Sequence, residues 1–155
     1  MSLAEPTYPD AKSNTSFQDG LEFQDFVCET LAKHGIVLQN LSSKKYQYNV
    51  GENLQGFEIK QDNHCSRTKR LSIEVAEKSQ SNVRGWTPSG ICREDNSWLY
   101  IQGNYDILFV FAKNWLLRYW NEKKPEVVSN RPTIKSFYVP FDTAIKCAAK
   151  VFTLT

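Results

Sequence analysis

The chain lacks a long apolar run, since no segment approaches the roughly 18 consecutive apolar residues of a membrane-spanning helix. The start Met1-Ser2-Leu3-Ala4 has neither the basic nor the apolar region of a secretory signal peptide. The four cysteines are scattered without a Cys-x-x-Cys pair, and only two histidines accompany them. This pattern argues against both a zinc site and a disulfide framework. We therefore expect a soluble, cytoplasmic protein with free thiols.

The charges are nearly balanced, with a net charge of +2, so any affinity for nucleic acid must come from a local patch. A length of 155 residues with 41% hydrophobic and 13% aromatic content is enough to bury a substantial core. Residues 1–15 are rich in Pro, Ser, Asn and Asp and predict a flexible N-terminal arm. Residues 16–155 are expected to form a single domain.

The order of the predicted elements indicates an α/β or α+β sheet domain with a helix packed on it. The first helix is expected to begin with Asp19 as N-cap and to end at Gly35, with apolar residues at helical spacing between them. Further strands are predicted at 45–50, 98–101, 107–111 and 134–139. A helix should follow the strand at 107–111, 129–132 should be a loop, and Asp142 should cap a final helix.

Two further segments, 56–62 and 71–78, alternate between apolar and charged residues as strands do. If residues 63–70 form a symmetric hairpin link, Glu58 lies directly across from Glu74 on one face. Carboxylates so placed are about 5 Å apart and repel each other, unless a divalent cation binds between them. Lys60 lies diagonal to Glu74 on the same face. The alternative is an ordinary solvated sheet face, on which Glu and Lys are common.

These residues resemble the motif of the PD-(D/E)xK nuclease superfamily, which has the restriction-endonuclease-like fold. The string Gly-Phe-Glu-Ile-Lys-Gln-Asp, then Leu-Ser-Ile-Glu, then Pro88-Ser89-Gly90-Ile91 resembles uncharacterised phage and gut-bacterial members in particular. Two departures stand out: Glu58 replaces the motif's aspartate, and Ala76 stands where the motif has its lysine. Lys60 on the neighbouring strand is the candidate replacement, with Lys78 in reserve.

A second alignment takes Glu58-Ile59-Lys60 as the Glu-x-Lys motif, with Glu52 as the upstream acid. It ranks lower, because Gly51 and Gly56 indicate a turn in which the two acids need not share a face.

The resemblance implies a metal-dependent endonuclease that hydrolyses phosphodiester bonds in DNA, with Glu58, Glu74 and Lys60 as catalytic residues. It further implies Mg²⁺ or Mn²⁺ held by Glu58, Glu74 and the backbone carbonyl of Val75. Glu22 on the first helix is an additional candidate near the metal. The spacing Asp19-x-x-Glu22 is equally that of a helix capping box.

Nucleic acid is the expected partner, DNA rather than RNA. Arg67, Lys69 and Arg70 could contact phosphates, although scattered basic residues are commonly just a solvated surface. Trp86 lies in a Gly/Pro loop and could either stack on a base or cover the core. The competing hypothesis is a catalytically inactive module of the same fold that binds nucleic acid or serves a structural role. The sequence leaves the oligomeric state open, a homodimer included.

Overall fold

The structure is a computed structural model that describes residues 11–38 and 55–154, with side chains throughout except at 11–18 and 130. The predicted strand at 45–50 and the acid Glu52 therefore lie outside the described residues. The chain divides into two compact units, 1–38 and 39–155.

The first unit contains one helix, α1 (Ala11–Lys33), and it ends as predicted, with Gly35 in the left-handed region at φ 80°. Phe23, Val27 and Leu31 recur every four residues along it and are all buried. The predicted start was wrong, because Asp19 lies inside the helix and so caps nothing. The capping box with Glu22 is excluded for the same reason. An aspartate before an apolar stripe resembles an N-cap whether the helix begins there or earlier.

The second unit alternates short helices and strands: β1 (Phe57–Gln61), α2 (Cys65–Thr68), β2 (Arg70–Glu77), β3 (Thr87–Pro88), a 3-10 turn (Gly90–Cys92), β4 (Leu99–Gly103), β5 (Ile107–Ala112), α3 (Lys113–Lys123), β6 (Val128–Arg131), β7 (Ile134–Pro140), α4 (Phe141–Cys147) and β8 (Lys150–Thr153). The described part of the chain thus has four helices and two sheets, one mixed and one antiparallel. This confirms the α/β or α+β class. None of the described helices is long and apolar enough to cross a membrane.

The mixed sheet has the strand order β1-β4-β5-β8, with β1 parallel to β4, and the antiparallel sheet has the order β3-β2-β7-β6. The predicted hairpin between β1 and β2 was wrong, because these strands belong to different sheets. Their link contains α2, which ends at Lys69 in the left-handed conformation, at φ 55°. The alternation of apolar and charged residues indicated which side chains share a face of each strand. It did not identify the pairing partner, because a strand of this kind can pair with any suitable apolar edge.

The main core lies between the two sheets. The mixed sheet contributes Tyr100, Phe109 and Phe111, and β2 contributes Leu71, Ile73 and Val75. Helix α3 closes one side, where Trp120 packs on Phe137 with ring centroids 5.2 Å apart. Glu58 is the register partner of Tyr100, and Lys60 is the partner of Gln102. These two charged residues therefore share the sheet face that borders the core.

Four predicted elements, β4, β5, α3 and β7, are present close to their expected positions. The loop predicted at 129–132 was wrong, because β6 covers most of it, and β8 at the end of the chain was not predicted. Asp142 lies in the first turn of α4, whose N-cap is Pro140. Strands β6 and β8 are each only four residues long, which is too short for a clear alternation; β8 pairs with the distant β5, whereas β6 pairs with the adjacent β7.

Candidate active site

Strand β1 carries two charged residues on one face. Its burial pattern is asymmetric: the Glu58 side chain is only 5% exposed, whereas that of Lys60 is 38% exposed. Alternation along the strand directs both side chains to the same side, with the amine of Lys60 nearer to solvent. A carboxylate so deeply buried needs a charged or hydrogen-bonding partner, because isolated burial of a charge is very costly.

Glu74 reaches the same place from β2. The pairing of β2 with β7 is interrupted by a bulge between Glu74 and Ala76, which locally changes the direction of the strand. Gly90 packs against the backbone of Glu74 at φ 54°, and an added Cβ there would overlap the Glu74 carbonyl. The backbone at Glu74 is thus fixed from both sides, by the bulge and by the glycine.

Lys60 joins the two acids. Its Nζ lies 3.2 Å from Oε1 of Glu58 and 3.1 Å from Oε2 of Glu74. The three residues that the sequence singled out therefore meet at one point, although the pairing proposed to bring them together does not exist. Lys60, the residue predicted to replace the lysine missing at Ala76, is the lysine that contacts both acids. The reserve candidate Lys78 lies elsewhere, with its Nζ 4.6 Å from the centre of the Trp86 ring.

The electrostatics of this carboxylate–lysine cluster keep the lysine charged. Burial of the amine favours the neutral form, but the nearby Glu58 and Glu74 carboxylates outweigh it and raise the pKa of Lys60 above its ordinary value. In this arrangement Lys60 is an ammonium group that donates hydrogen bonds. It cannot accept a proton until its contacts with the acids change.

A hydrogen-bonded clamp next to the cluster ties β1 and β4 to β2. Asp62 Oδ2 accepts hydrogen bonds from the Ser72 backbone N–H at 2.9 Å and from Gln102 Nε2 at 3.0 Å. The same Gln102 nitrogen donates to the Ser72 carbonyl at 2.7 Å. Both backbone groups of Ser72 are thus bound by side chains of the mixed sheet. The clamp fixes the position of β2 two residues before Glu74.

A cleft of about 470 Å³ opens beside the cluster, and Lys60 and Glu74 form part of its wall. Three exposed arginines from three different elements also line it, namely Arg67, Arg70 and Arg131. The Arg70 guanidinium lies 3.7 Å from the centre of the Tyr138 ring, and Arg67 contacts His64 Nδ1 at 3.4 Å. The cleft therefore combines Glu74, the lysine that both acids contact and a positively charged rim.

The remaining predicted residues lie apart from this arrangement or are already engaged. The Val75 carbonyl accepts a hydrogen bond from the Ser89 backbone N–H at 3.0 Å. Lys69 has its Nζ 5.8 Å from the centre of the Phe141 ring, and neither it nor Trp86 lines the cleft. Glu22 is exposed on α1, in the first unit. Its role near a metal stays a prediction.

Sequence reasoning missed Arg131, Gln102 and the clamp formed by Asp62. Asp62 was recognised only as a third charged residue on the face of Glu58 and Lys60. Arg131 and Gln102 carry no local signal, because their roles depend on the long-range pairing of β7 with β2 and of β4 with β1. Comparisons with protein families, with characterised proteins and with solved structures gave no match to this chain.

Proposed function

We propose that this protein is a metal-dependent nuclease that hydrolyses phosphodiester bonds in DNA, related to the PD-(D/E)xK superfamily that its motif resembles. The observation that carries the proposal is the sharing of the Lys60 amine by Glu58 and Glu74 at 3.2 and 3.1 Å, at the wall of an arginine-lined cleft. Two acids and a lysine are the side chains that hydrolysis of a phosphodiester with a metal ion requires. A cytoplasmic location is part of the same proposal.

The donor set suits Mg²⁺ or Mn²⁺. These ions prefer oxygen ligands and are commonly held by one or two carboxylates, with water and substrate phosphate completing the shell. Glu58 and Glu74 supply two carboxylates, and no group of three His, Cys, Asp or Glu side chains suited to a metal occurs among residues 11–38 and 55–154. Two carboxylates without a third protein ligand are a poor site for zinc, which takes three or four.

When bound there, the metal would polarise the scissile phosphate and lower the pKa of a coordinated water. The chain's own contribution begins with Glu58 and Glu74, which would hold the ion. Lys60 carries its positive charge at the same point and would donate hydrogen bonds to the phosphate as negative charge develops on it. Arg67, Arg70 and Arg131 would bind neighbouring phosphates and hold the strand in the cleft.

An inactive nucleic-acid-binding module is the second candidate, and one observation favours it. Lys60 forms ion pairs with both acids, as in a purely structural triad. In that case the arginines of the cleft would bind DNA, and no divalent ion would be needed. Measurements of metal binding and of DNA cleavage distinguish the nuclease from the inactive module.

The test measures Mn²⁺ binding by calorimetry and DNA cleavage with Mg²⁺ or Mn²⁺, for the wild type and for Glu58→Gln and Glu74→Gln. Glutamine keeps the size of each side chain and removes its charge. We expect each substitution to weaken Mn²⁺ binding at least about tenfold and to lower cleavage at least about 100-fold. Glu77→Gln is the matched control, because Glu77 is an exposed carboxylate on the same strand.

Chelation should abolish cleavage by the wild type, and circular dichroism should show that each variant remains folded. Equal Mn²⁺ binding by the wild type and Glu74→Gln would exclude the metal site. Folded wild-type protein that binds DNA but cuts none with either metal would establish the inactive module instead.

A further inference from the structure

The rim of the cleft carries positive charge that no carboxylate of the described residues neutralises. Within the described part of the chain, Arg67, Arg70 and Arg131 form no ion pair with a carboxylate. They come from α2, β2 and β6, so the fold brings Arg131 to the same cleft as Arg67 and Arg70, which are near each other in the sequence. Guanidinium groups bind phosphate oxygens in pairs of parallel hydrogen bonds, which makes this rim a site for several phosphates.

Two of these arginines are held in place before any ligand binds. Arg70 lies flat over Tyr138, at 3.7 Å from the ring centre, and Arg67 is bonded to His64. A side chain that is already ordered loses less conformational entropy when it binds. The rim is therefore organised for a polyanion rather than merely exposed.

Both acids are recessed from the surface, and Glu74 lines the cleft while Glu58 lies behind it in contact with Lys60. The Glu58 and Glu74 side chains are only 5% and 14% exposed, and the cleft of about 470 Å³ is of the size that proteins use for small molecules. A DNA duplex is a stiff rod, with a persistence length of about 50 nm, and its major groove alone is about 12 Å wide. A single strand is flexible enough to place one phosphate beside recessed groups while its neighbours stay at the rim.

We infer that the substrate of this site is single-stranded DNA, with one phosphate beside Lys60 and Glu74 and adjacent phosphates on Arg67, Arg70 and Arg131. The inference rests on the proposed function for the chemistry at Lys60. It goes beyond that function by selecting an unpaired strand over a duplex. A stiff duplex cannot bend to bring one phosphate beside recessed groups while its neighbours stay on the rim, whereas an unpaired strand can.

The test measures binding without cleavage, by fluorescence anisotropy in excess EDTA at one fixed salt concentration. The probes are an oligothymidylate of about 16 nucleotides and a duplex of the same length. We expect the single strand to bind at least about tenfold more tightly than the duplex. For Arg131→Ala and for Arg70→Gln, we expect weaker single-strand binding and a salt dependence reduced by about 0.7 per lost phosphate contact.

Arg118→Ala is the matched control, because Arg118 is exposed on α3 and does not line the cleft. Arg131 is exposed and its side chain has no hydrogen bond, ion pair or ring contact among the described residues, so its variant keeps the test valid even if Arg70→Gln disturbs Tyr138. Duplex binding as tight as single-strand binding, or rim variants that behave like Arg118→Ala, would overturn the inference. So would failure to bind either probe.

The result of this binding test can be distinguished from the result of the cleavage test of the proposed function. Tight single-strand binding with no cleavage under any metal condition would refute hydrolysis and leave the substrate inference standing. Cleavage of duplexes with no preference for single strands would refute the inference and leave hydrolysis standing.

Discussion

The carboxylate of Asp62 accepts a 2.9 Å hydrogen bond from the backbone N–H of Ser72, and this bond joins the end of β1 to the edge of β2. Because Gln102 binds both Asp62 and the Ser72 carbonyl, β1, β4 and β2 are held at one point. Lys60 precedes that point by two residues on β1, and Glu74 follows it by two on β2. The clamp is what allows two sheets that share no strand pairing to bring Lys60 and Glu74 within 3.1 Å.

Asp62→Ala should therefore weaken the site as well as the fold. It leaves the Ser72 N–H without its acceptor and removes one of the two acceptors of the Gln102 amide, which we expect to cost about 1–3 kcal/mol of unfolding free energy. With β2 released, Glu74 is held less precisely, so Mn²⁺ affinity should fall several-fold. Asp62→Asn keeps an acceptor oxygen, so it should lose less unfolding free energy and less Mn²⁺ affinity than Asp62→Ala. Urea denaturation and calorimetry check the prediction, and equal losses for the two variants would contradict it.

Lys60→Met should separate metal binding from catalysis. In the wild type, an incoming cation must compete with the ammonium group for the oxygens of Glu58 and Glu74. Without the ammonium, Mn²⁺ should bind about tenfold more tightly, equivalent to about 1.4 kcal/mol. Cleavage should nevertheless fall by about 100-fold or more, because the charge that stabilises the reacting phosphate is gone.

Calorimetry and a cleavage assay on the same preparation of Lys60→Met measure its Mn²⁺ affinity and its cleavage rate. Lys78→Met is the control, since Lys78 contacts Trp86 and should change neither measurement. A Lys60→Met protein that binds Mn²⁺ more weakly than the wild type would show that the lysine supports the metal rather than competing with it.

Gly90→Ala should damage the site without changing any of its functional groups. The position has φ 54°, which side chains rarely adopt, and a new Cβ would overlap the Glu74 carbonyl. We expect a loss of about 1–3 kcal/mol in unfolding free energy and weaker Mn²⁺ binding, because the Glu74 backbone must shift. Gly85→Ala is the matched control, since an added Cβ there meets nothing within 4 Å. Unchanged Mn²⁺ affinity in Gly90→Ala would mean that Glu74 is positioned by the bulge alone.

The sequence allowed the three central residues to be predicted but not the way they meet. Alternation along a strand is a local property, so it correctly placed Glu58 and Lys60 on one face. Strand pairing is not local: β1 pairs with β4, some 40 residues further along the chain. The hairpin was the simplest closure for neighbouring strands, and α2 in the link prevents it. Arg131 joins the cleft only through β6, a strand too short and too polar to be recognised.

A second ion pair, remote from the carboxylate–lysine cluster, gives a pH-dependent prediction. Lys113 Nζ donates to Asp95 Oδ1 and to the Arg93 carbonyl, both at 2.9 Å, and the two side chains are 6% and 1% exposed. These bonds tie the segment before β4 to the first residue of α3. Burial opposes ionisation of Asp95, but the hydrogen bond from Lys113 and that from the Ser97 N–H lower its pKa below 3.8.

Asp95→Asn should reduce the free energy of unfolding by about 3–5 kcal/mol near neutral pH, because it leaves the Lys113 ammonium buried without its charged partner. A carboxyl with a depressed pKa stabilises the fold fully above its ordinary pKa of 3.8, and this contribution is lost as pH falls through the lower, folded value. The stability gap between wild type and variant should therefore be constant at neutral pH and narrow below about pH 4. Urea denaturation at a series of pH values measures this gap.

Asp106→Asn, at an exposed aspartate, is the control and should change stability by less than about 0.5 kcal/mol. Combining Asp95→Asn with Lys113→Met should recover part of the loss by removing the unpaired charge. A gap that widens on acidification would show that Asp95 is not ionised in the folded protein.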